Sequence, residues 1–162
     1  MSAEHKAFHL ELFREDVLRQ IKYWLGKKEI GKTPHWYLLI PKFLTAIWPK
    51  QKYIKTDKTT SIMCDIAFAD EERFPEIVDL ILPHLTHLNK QYLLRYKVLS
   101  GDKCIIDKHP RHTLTLFFTV LPDNARDWPY GVDGVLNRIE QADSALAEDN
   151  RLVELKRRWN AR

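Results

Sequence analysis

Residues 112–121, with the sequence HTLTLFFTVL, decide which fold class the sequence favours. Every second position is apolar and threonines fill most of the places between; the apolar set is Leu114, Leu116, Phe118 and Val120. A period of two, rich in β-branched residues, is typical of a strand that buries one face. The stretch therefore predicts a strand, and with it a protein that contains a sheet.

Three other segments also have the features of strands. Residues 60–68 alternate in the same way, with Cys64 on the apolar side. Residues 92–98 and 103–107 are short runs on either side of a Ser-Gly-Asp sequence, which is typical of a hairpin turn. The sequence thus predicts about four strands.

Apolar residues at spacings of three and four predict helices elsewhere. They indicate a first helix over residues 4–27, a second over 74–88 and a third over 132–142. The second should bend or divide at Pro83, because proline lacks an amide hydrogen and clashes with the preceding turn. A fourth helix should follow residues 148–150, which interrupt the apolar stripe and supply a cap.

The order of these elements indicates an α+β protein. An antiparallel or mixed sheet of about four strands would carry the helices on one face. A chain of 162 residues with 44% hydrophobic composition can bury a core of its own, and no linker-like stretch divides it. Residues 1–162 are therefore expected to form a single domain.

The composition favours a soluble, cytoplasmic protein. The longest uncharged stretch, residues 113–122, is far shorter than the roughly 20 residues that span a bilayer. The first residues lack the basic and then apolar order of a secretory signal. Cys64 and Cys104 are isolated thiols, as expected in a reducing compartment, although a disulfide between them remains open.

Residues 17–58, called the basic segment below, hold an excess of positive charge. Ten lysines or arginines stand against two acids, a net charge of +8, so the remaining residues contribute −4 to the total of +4. Seven aromatic residues are spaced among them: Tyr23, Trp24, Trp36, Tyr37, Phe43, Trp48 and Tyr53. Lysines near phosphates release counterions, and flat rings can stack on exposed bases. A polyanion such as nucleic acid is the partner that this arrangement would suit best.

The candidate contact residues are lysines and rings that flank the apolar runs of the basic segment: Lys27, Lys28, Lys32, Trp36, Lys50, Lys52, Tyr53, Lys55 and Lys58. Lysine predominates there. Arg19 is the only arginine in the segment, and arginine is the residue that favours bidentate recognition of phosphates and bases. The alternative explanation is a solvated basic surface whose aromatic rings belong to the core.

Other residues give weaker indications of chemistry. Six histidines form close pairs, but a pair alone cannot supply the three or four ligands of a zinc site; the pairs are His5 with His9, His84 with His87, and His109 with His112. Both cysteines lie in apolar contexts, where burial raises the pKa of a thiol. The carboxylates Asp65, Asp102 and Asp107, with Lys103 or Lys108, match no nuclease pattern. No phosphate-binding loop or nucleophile elbow is present, so no catalytic residue, metal or cofactor is predicted.

The leading hypothesis is an accessory or regulatory protein without catalytic activity that contacts nucleic acid through the basic segment. The alternative is a protein-binding module, such as an inhibitor, immunity or adaptor protein, that presents its basic surface to an acidic partner. A third hypothesis is a hydrolase with His109 and His112 in its site. The amphipathic C-terminal helix could also dock on a partner protein or on a second copy of the chain.

Overall fold

The computed structural model describes residues 16, 17, 19, 20, 23, 64–68, 71–85 and 103–162. Of these residues 79% are helical and none is in a strand. The prediction of an α+β fold with a four-stranded sheet is therefore wrong for the part of the chain that is described, which is an assembly of helices.

Five α-helices form this assembly. They are α1 (Phe74–Leu85), α2 (Lys103–Lys108), α3 (Pro110–Val120), α4 (Val132–Ala142) and α5 (Asn150–Asn160). Two short 3₁₀ helices, Ala125–Asp127 and Ser144–Glu148, lie in the connections before and after α4. Residues 64–67 are also helical.

The stretch that predicted a strand is helix α3. Its buried residues are Thr113, Leu114, Leu116, Phe117 and Val120, and their spacings of three and four cover one broad helical face. Phe117 is completely buried, whereas Phe118 is 39% exposed. A strand would have placed Phe118 with the leucines and Phe117 on the other face. The same ten residues fit both the period of two of a strand and the period of 3.6 of a helix. Packing against the neighbouring helices selects the helix.

The threonines of α3 are accommodated by hydrogen bonds to their own helix. The hydroxyls of Thr113, Thr115 and Thr119 each donate to the carbonyl oxygen four residues earlier, at 2.9 Å. This bond satisfies a polar group that would otherwise be costly to bury. Pro110 occupies the first turn, where its missing amide hydrogen is not needed. The β-branched composition that indicated a strand is therefore compatible with this helix.

Two other predicted strands are also helical. Residues 103–107 lie in α2, and residues 64–67 of the predicted strand 60–68 form a helical turn. Both segments are short, and at this length apolar spacing alone does not separate a strand from a buried helix. The fourth predicted strand, residues 92–98, and the hairpin turn after it lie outside the described residues.

The predicted helices agree with the structure wherever it describes them. Helices α4 and α5 cover the third and fourth predictions, and α1 covers the second as far as Leu85. Pro83 lies inside α1 and does not divide it. In the first predicted helix, residues 16, 17, 19, 20 and 23 are helical. Asp149 caps α5 as predicted, since its Oδ1 atom accepts a hydrogen bond from the amide of Arg151 at 2.9 Å.

Helix α3 lies at the centre of the assembly, in contact with the other four helices. Helices α2 and α4 pack against each other, as do α4 and α5. One continuous apolar core joins residues from Cys64 to Leu155. Burying a large side chain in such a core contributes about 1.5–3 kcal/mol.

The connection from α3 to α4 is fixed at both ends. The indole of Trp128 is buried, donates to the carbonyl of Pro122 at 2.6 Å and stacks on Trp159 of α5. Gly131, at the start of α4, has a φ of 93°, a conformation that favours glycine. Between them Tyr130 is 93% exposed, so the connection presents this ring to solvent.

Candidate nucleic-acid interface

The candidate contact residues of the basic segment lie outside the described residues. This holds for every one of them: Lys27, Lys28, Lys32, Trp36, Lys50, Lys52, Tyr53, Lys55 and Lys58. Their grouping on one surface stays a prediction. The structure bears on the interface through the first residues of the segment and through the charges of the helices that follow it.

Arg19 and Tyr23 are the exposed residues of the basic segment that carry a charge or a ring in the described part. The Tyr23 ring is 55% exposed, and the Arg19 side chain is 44% exposed. Arg19 Nη1 donates to Asp16 Oδ1 at 3.5 Å, a long contact between exposed groups that contributes at most about 1 kcal/mol.

The helical geometry places Arg19 and Tyr23 side by side. Residues four apart on an α-helix differ by about 40° around the axis and lie one turn apart along it. Both lie on the side of the helix away from Val17, which is half-buried whereas Arg19 and Tyr23 are exposed. An aromatic ring and a cation therefore share the polar side of this helix.

The basic residues of the C-terminal helices are matched by acids. Residues 103–162 contain ten lysines or arginines and nine acids, a net charge of +1. Nine of the ten basic side chains are described, and seven of these pair with a carboxylate: Lys108, Arg111, Arg138, Arg151, Lys156, Arg157 and Arg158. Most cations in this part of the protein are thus engaged within it.

The pair of Arg151 and Asp149 shows how closely the two charges are held. Arg151 Nε and Nη2 donate to the two carboxylate oxygens at 3.0 and 2.8 Å, and Nη1 donates to the hydroxyl of Thr115 at 2.8 Å. The hydrogen bond from the guanidinium is the main cause that lowers the pKa of Asp149 from 3.8 to about 2. The contact with Thr115 ties α5 to α3, whereas the two contacts with Asp149 lie within the first turn of α5.

Glu154 holds two arginines at once. Arg157 donates to both of its oxygens, at 2.8 and 2.9 Å, and Arg158 Nε donates to Oε1 at 2.7 Å. The hydrogen bonds from Arg157 and then Arg158 lower the pKa of Glu154 from 4.5 to about 2. These two arginines are therefore neutralised in part by a carboxylate of their own helix.

Two described cations of the C-terminal part have no carboxylate partner among the described residues. Arg126 is exposed in the connection from α3 to α4. Arg162 lies over the ring of Trp159, with Cζ 3.1 Å from the ring centroid. Two such cations on a surface with a net charge of +1 make a weak electrostatic site for a polyanion.

The histidine pair His109 and His112 makes separate contacts. His109 Nε2 donates to the carbonyl of Glu71 at 2.9 Å, and its ring stacks on Phe74 at 6.0 Å between centroids. His112 Nε2 is 3.9 Å from Asp79. Each ring thus links the α2–α3 region to α1 or to the turn before it. The pairs His5 with His9 and His84 with His87 lie outside the described side chains.

The cysteine prediction can be tested at Cys64. This residue is a free thiol, 1% exposed, and burial raises its pKa from 9.0 to about 12, with a smaller contribution from the charge of Asp65. The prediction of a raised thiol pKa is confirmed here, although Cys64 lies in a helical turn and not in a strand. A thiol held protonated is a poor nucleophile. The side chain of Cys104 is not described.

Two of the residues considered for a nuclease, Asp107 and Lys108, pair with other residues. Asp107 receives a bidentate pair from Arg138, Nε to Oδ1 at 2.8 Å and Nη2 to Oδ2 at 2.6 Å. Lys108 pairs with Glu71. Across the described ranges, no three potential metal ligands lie close enough to hold an ion.

The C-terminal helix α5 packs on α3 and α4. Leu152 and Leu155 are buried, and Trp159 stacks on Trp128 at 6.2 Å between ring centroids. Val153 remains 49% exposed on the outward side. Docking of a partner or of a second copy through this helix stays a prediction, and it would have to use that outward side.

Comparison with known proteins finds no matching protein family, no similar curated protein and no similar solved structure. In the described portions of the chain, no helix has both the length and the apolar character required to cross a bilayer.

Sequence reasoning omitted Arg19 and Tyr23 from the candidate residues. Tyr23 was noted among the spaced aromatics and Arg19 as the single arginine. Their spacing of four on a predicted helix, opposite its apolar stripe, is the signal that could have placed them on the surface.

Proposed function

We propose that this protein binds nucleic acid through the basic segment and acts as an accessory or regulatory protein without a catalytic step of its own. The observation that carries the proposal is the uneven distribution of net charge along the sequence. Residues 17–58 have a net charge of +8, whereas residues 103–162 have a net charge of +1 and pair most of their described cations internally.

This difference matters because only cations that approach phosphates release counterions from nucleic acid. An arginine that already holds a carboxylate in a bidentate pair must give up that pair first. The C-terminal helices therefore supply a packed scaffold, and the basic segment supplies the charge. A cytoplasmic location belongs to the same proposal, and the free thiol of Cys64 supports it.

The experiment measures the affinity of the full-length protein for a fluorescein-labelled 20-nucleotide oligothymidine by fluorescence anisotropy between 50 and 300 mM NaCl. The logarithm of the association constant should fall linearly with the logarithm of the salt concentration. Replacing Lys50, Lys52, Lys55 and Lys58 together by glutamine should reduce the slope by up to about 3, at roughly 0.7 for each phosphate contact.

The matched control replaces Arg126 and Arg162 by glutamine, since both are described cations without a carboxylate partner in the described residues. We expect a change in slope below about 1 for this control, because residues 103–162 are nearly neutral overall. Equal slopes for the wild type and the quadruple lysine variant would contradict the proposal. The proposal would also be contradicted if the control variant reduced the salt slope as much as the lysine variant does.

A further inference from the structure

The ring of Tyr130 has no role in the core. It is 93% exposed, more than any other large apolar or aromatic side chain that the structure describes. Neither its ring nor its hydroxyl has a ring contact or a hydrogen bond with a described residue. Tyrosine is enriched at protein interfaces, because a flat ring with two side-chain torsions gives a large contact area at a low cost in conformational entropy. The position of this ring therefore suits contact with a partner from outside the chain.

The backbone on both sides of Tyr130 is held in place. Two residues earlier, Trp128 is buried, donates its indole hydrogen to a backbone carbonyl and stacks on Trp159. On the other side, the carbonyl of Gly131 accepts a hydrogen bond from the amide of Val135 at 3.3 Å. A ring carried by a fixed backbone loses less freedom on binding than a ring on a mobile loop, so more of the contact energy remains as affinity.

Two carboxylates lie close to this ring along the chain. Asp127 and Asp133 are three residues before and three residues after Tyr130, so the Cα atom of each is at most about 10 Å from that of the tyrosine. Both are exposed, and neither carboxylate has a hydrogen bond or ion pair with a described residue. The face of a tyrosine ring also attracts a cation. Because Arg126 is the only basic residue in the sequence 126–134, these residues have a net charge of −1 and favour a positive partner.

We propose that Tyr130, Asp127 and Asp133 form a docking surface for a basic segment of a partner protein, with an arginine or lysine of the partner over the tyrosine ring. Charge complementarity selects this partner, since an acidic peptide or a nucleic acid would bring its negative groups against two carboxylates. An extended peptide points alternate side chains to the same side, about 6.8 Å apart. One cation can thus cover the ring while its neighbours approach the carboxylates. The inference concerns a different part of the molecule from the basic segment and does not depend on the function proposed above.

The test titrates the nitrogen-15-labelled full-length protein with the unlabelled peptide GKGRGKG, in which three cations stand at alternate positions, at about 20 mM NaCl. The control peptide GQGQGQG has the same length and no cation. Amide shifts measured by NMR report both the dissociation constant and the residues that are affected. We expect the basic peptide to shift amides within residues 126–134, less so as added salt screens the charges, and the control peptide to shift none of them.

Replacements of the ring separate a contact with its face from general attraction between charges. Tyr130→Ala should weaken binding of the basic peptide about 2- to 5-fold, which is the range for a cation–π contact at an exposed site. Tyr130→Phe keeps the ring and should bind within about 1.5-fold of the wild type. Because the side chain is exposed, both variants should keep the far-ultraviolet circular dichroism of the wild type.

Replacements of charge test the acidic part of the surface. Asp127→Asn should weaken binding about 1.5- to 5-fold, as expected for an exposed ion pair. Asp127 is a better choice than Asp133, because an acid in the first turn of α4 also stabilises that helix. Arg126→Gln has the opposite expectation. It removes a positive charge next to Asp127, so the basic peptide should bind this variant at least as tightly as the wild type.

Glu148→Gln is the matched control for the change of charge. Glu148 is exposed, and its carboxylate has no hydrogen bond or ion pair with a described residue. It lies just before α5, whereas Trp128, close to the proposed surface, stacks on Trp159 near the other end of that helix. The 11 residues of α5 span about 16 Å, so this variant should bind the basic peptide as the wild type does.

Three results would overturn the inference. The first is a lack of any shift within residues 126–134 at about 5 mM basic peptide. The second is equal binding of this peptide by the wild type and Tyr130→Ala, which would show that the ring takes no part. The third is a loss in Glu148→Gln as large as that in Asp127→Asn, which would reduce the contact to attraction by any exposed acid. Each of these results leaves the affinity of the basic segment for nucleic acid, and so the proposed function, unaffected.

Discussion

The neighbouring residues Phe117 and Phe118 offer a direct test of the central helix. Phe117 is completely buried in α3, whereas Phe118 is 39% exposed. Replacing a fully buried phenylalanine by alanine costs about 3–5 kcal/mol, because the transfer free energy is lost and a cavity remains. At Phe118 only part of the ring is covered and water can fill the space. We expect a cost of about 1 kcal/mol there, after the better helix propensity of alanine offsets about 0.5 kcal/mol.

The free energy of unfolding is measured by urea denaturation of the full-length variants, followed by circular dichroism at 222 nm. Phe117→Ala should lose at least about 2 kcal/mol more than Phe118→Ala. If Phe117→Ala does not fold, Phe117→Leu and Phe118→Leu should show the same order with smaller losses. A strand over residues 112–121 would bury Phe118 and expose Phe117, so a greater loss at Phe118 would refute the helical packing of α3.

Other predictions concern acid stability, thiol reactivity and a surface ion pair. The pKa of Asp149 falls from 3.8 to about 2 on folding, so its contribution to stability is present above about pH 4 and is lost as the pH drops towards 2. Asp149→Asn should therefore make the free energy of unfolding fall less steeply between pH 5 and 2, and an unchanged pH profile would contradict this. In a Cys104→Ser variant, Cys64 should not react with a thiol reagent at pH 8 until urea unfolds the protein, because burial raises its pKa to about 12; rapid labelling of the folded protein would contradict its burial. Arg138→Gln should leave the midpoint of thermal unfolding nearly unchanged, since Arg138 and Asp107 are both partly exposed, and a marked fall in that midpoint would contradict this.

The sequence predicts well those helices whose apolar residues fit the helical period and no other. Helices α4 and α5 have apolar residues at spacings of three and four and polar residues between, a pattern that no strand shares. The cap at Asp149 followed from its position before α5. These features depend on neighbours in the sequence, so the sequence alone was sufficient to predict them.

Helices α2 and α3 could not be predicted in the same way. The run HTLTLFFTVL fits a period of two and a period of 3.6, and its threonines favour a strand when read singly. The choice depends on contacts with four other helices and on hydroxyl bonds to the backbone, such as that of Thr113 to the carbonyl of His109. Such tertiary contacts are not contained in local propensity.

For the candidate site, the sequence predicts only which part of the chain is rich in positive charge and aromatic residues. The excess of lysines in the basic segment follows from composition, and the pairing of the C-terminal arginines does not. Arg151, for example, belongs to the predicted amphipathic C-terminal helix, and in the folded protein it binds Asp149 and Thr115. The near neutrality of residues 103–162 follows from their composition, but the folded structure was needed to show which of these charges pair with one another.

Photo-crosslinking of the full-length protein to a single-stranded oligonucleotide that contains 4-thiouridine tests the central claim most directly. Mass spectrometry of the digested complex identifies the crosslinked peptides. The account predicts crosslinks within residues 17–58. Crosslinks confined to residues 103–162 would contradict it, because the nucleic acid would then bind the helices whose charges are already paired.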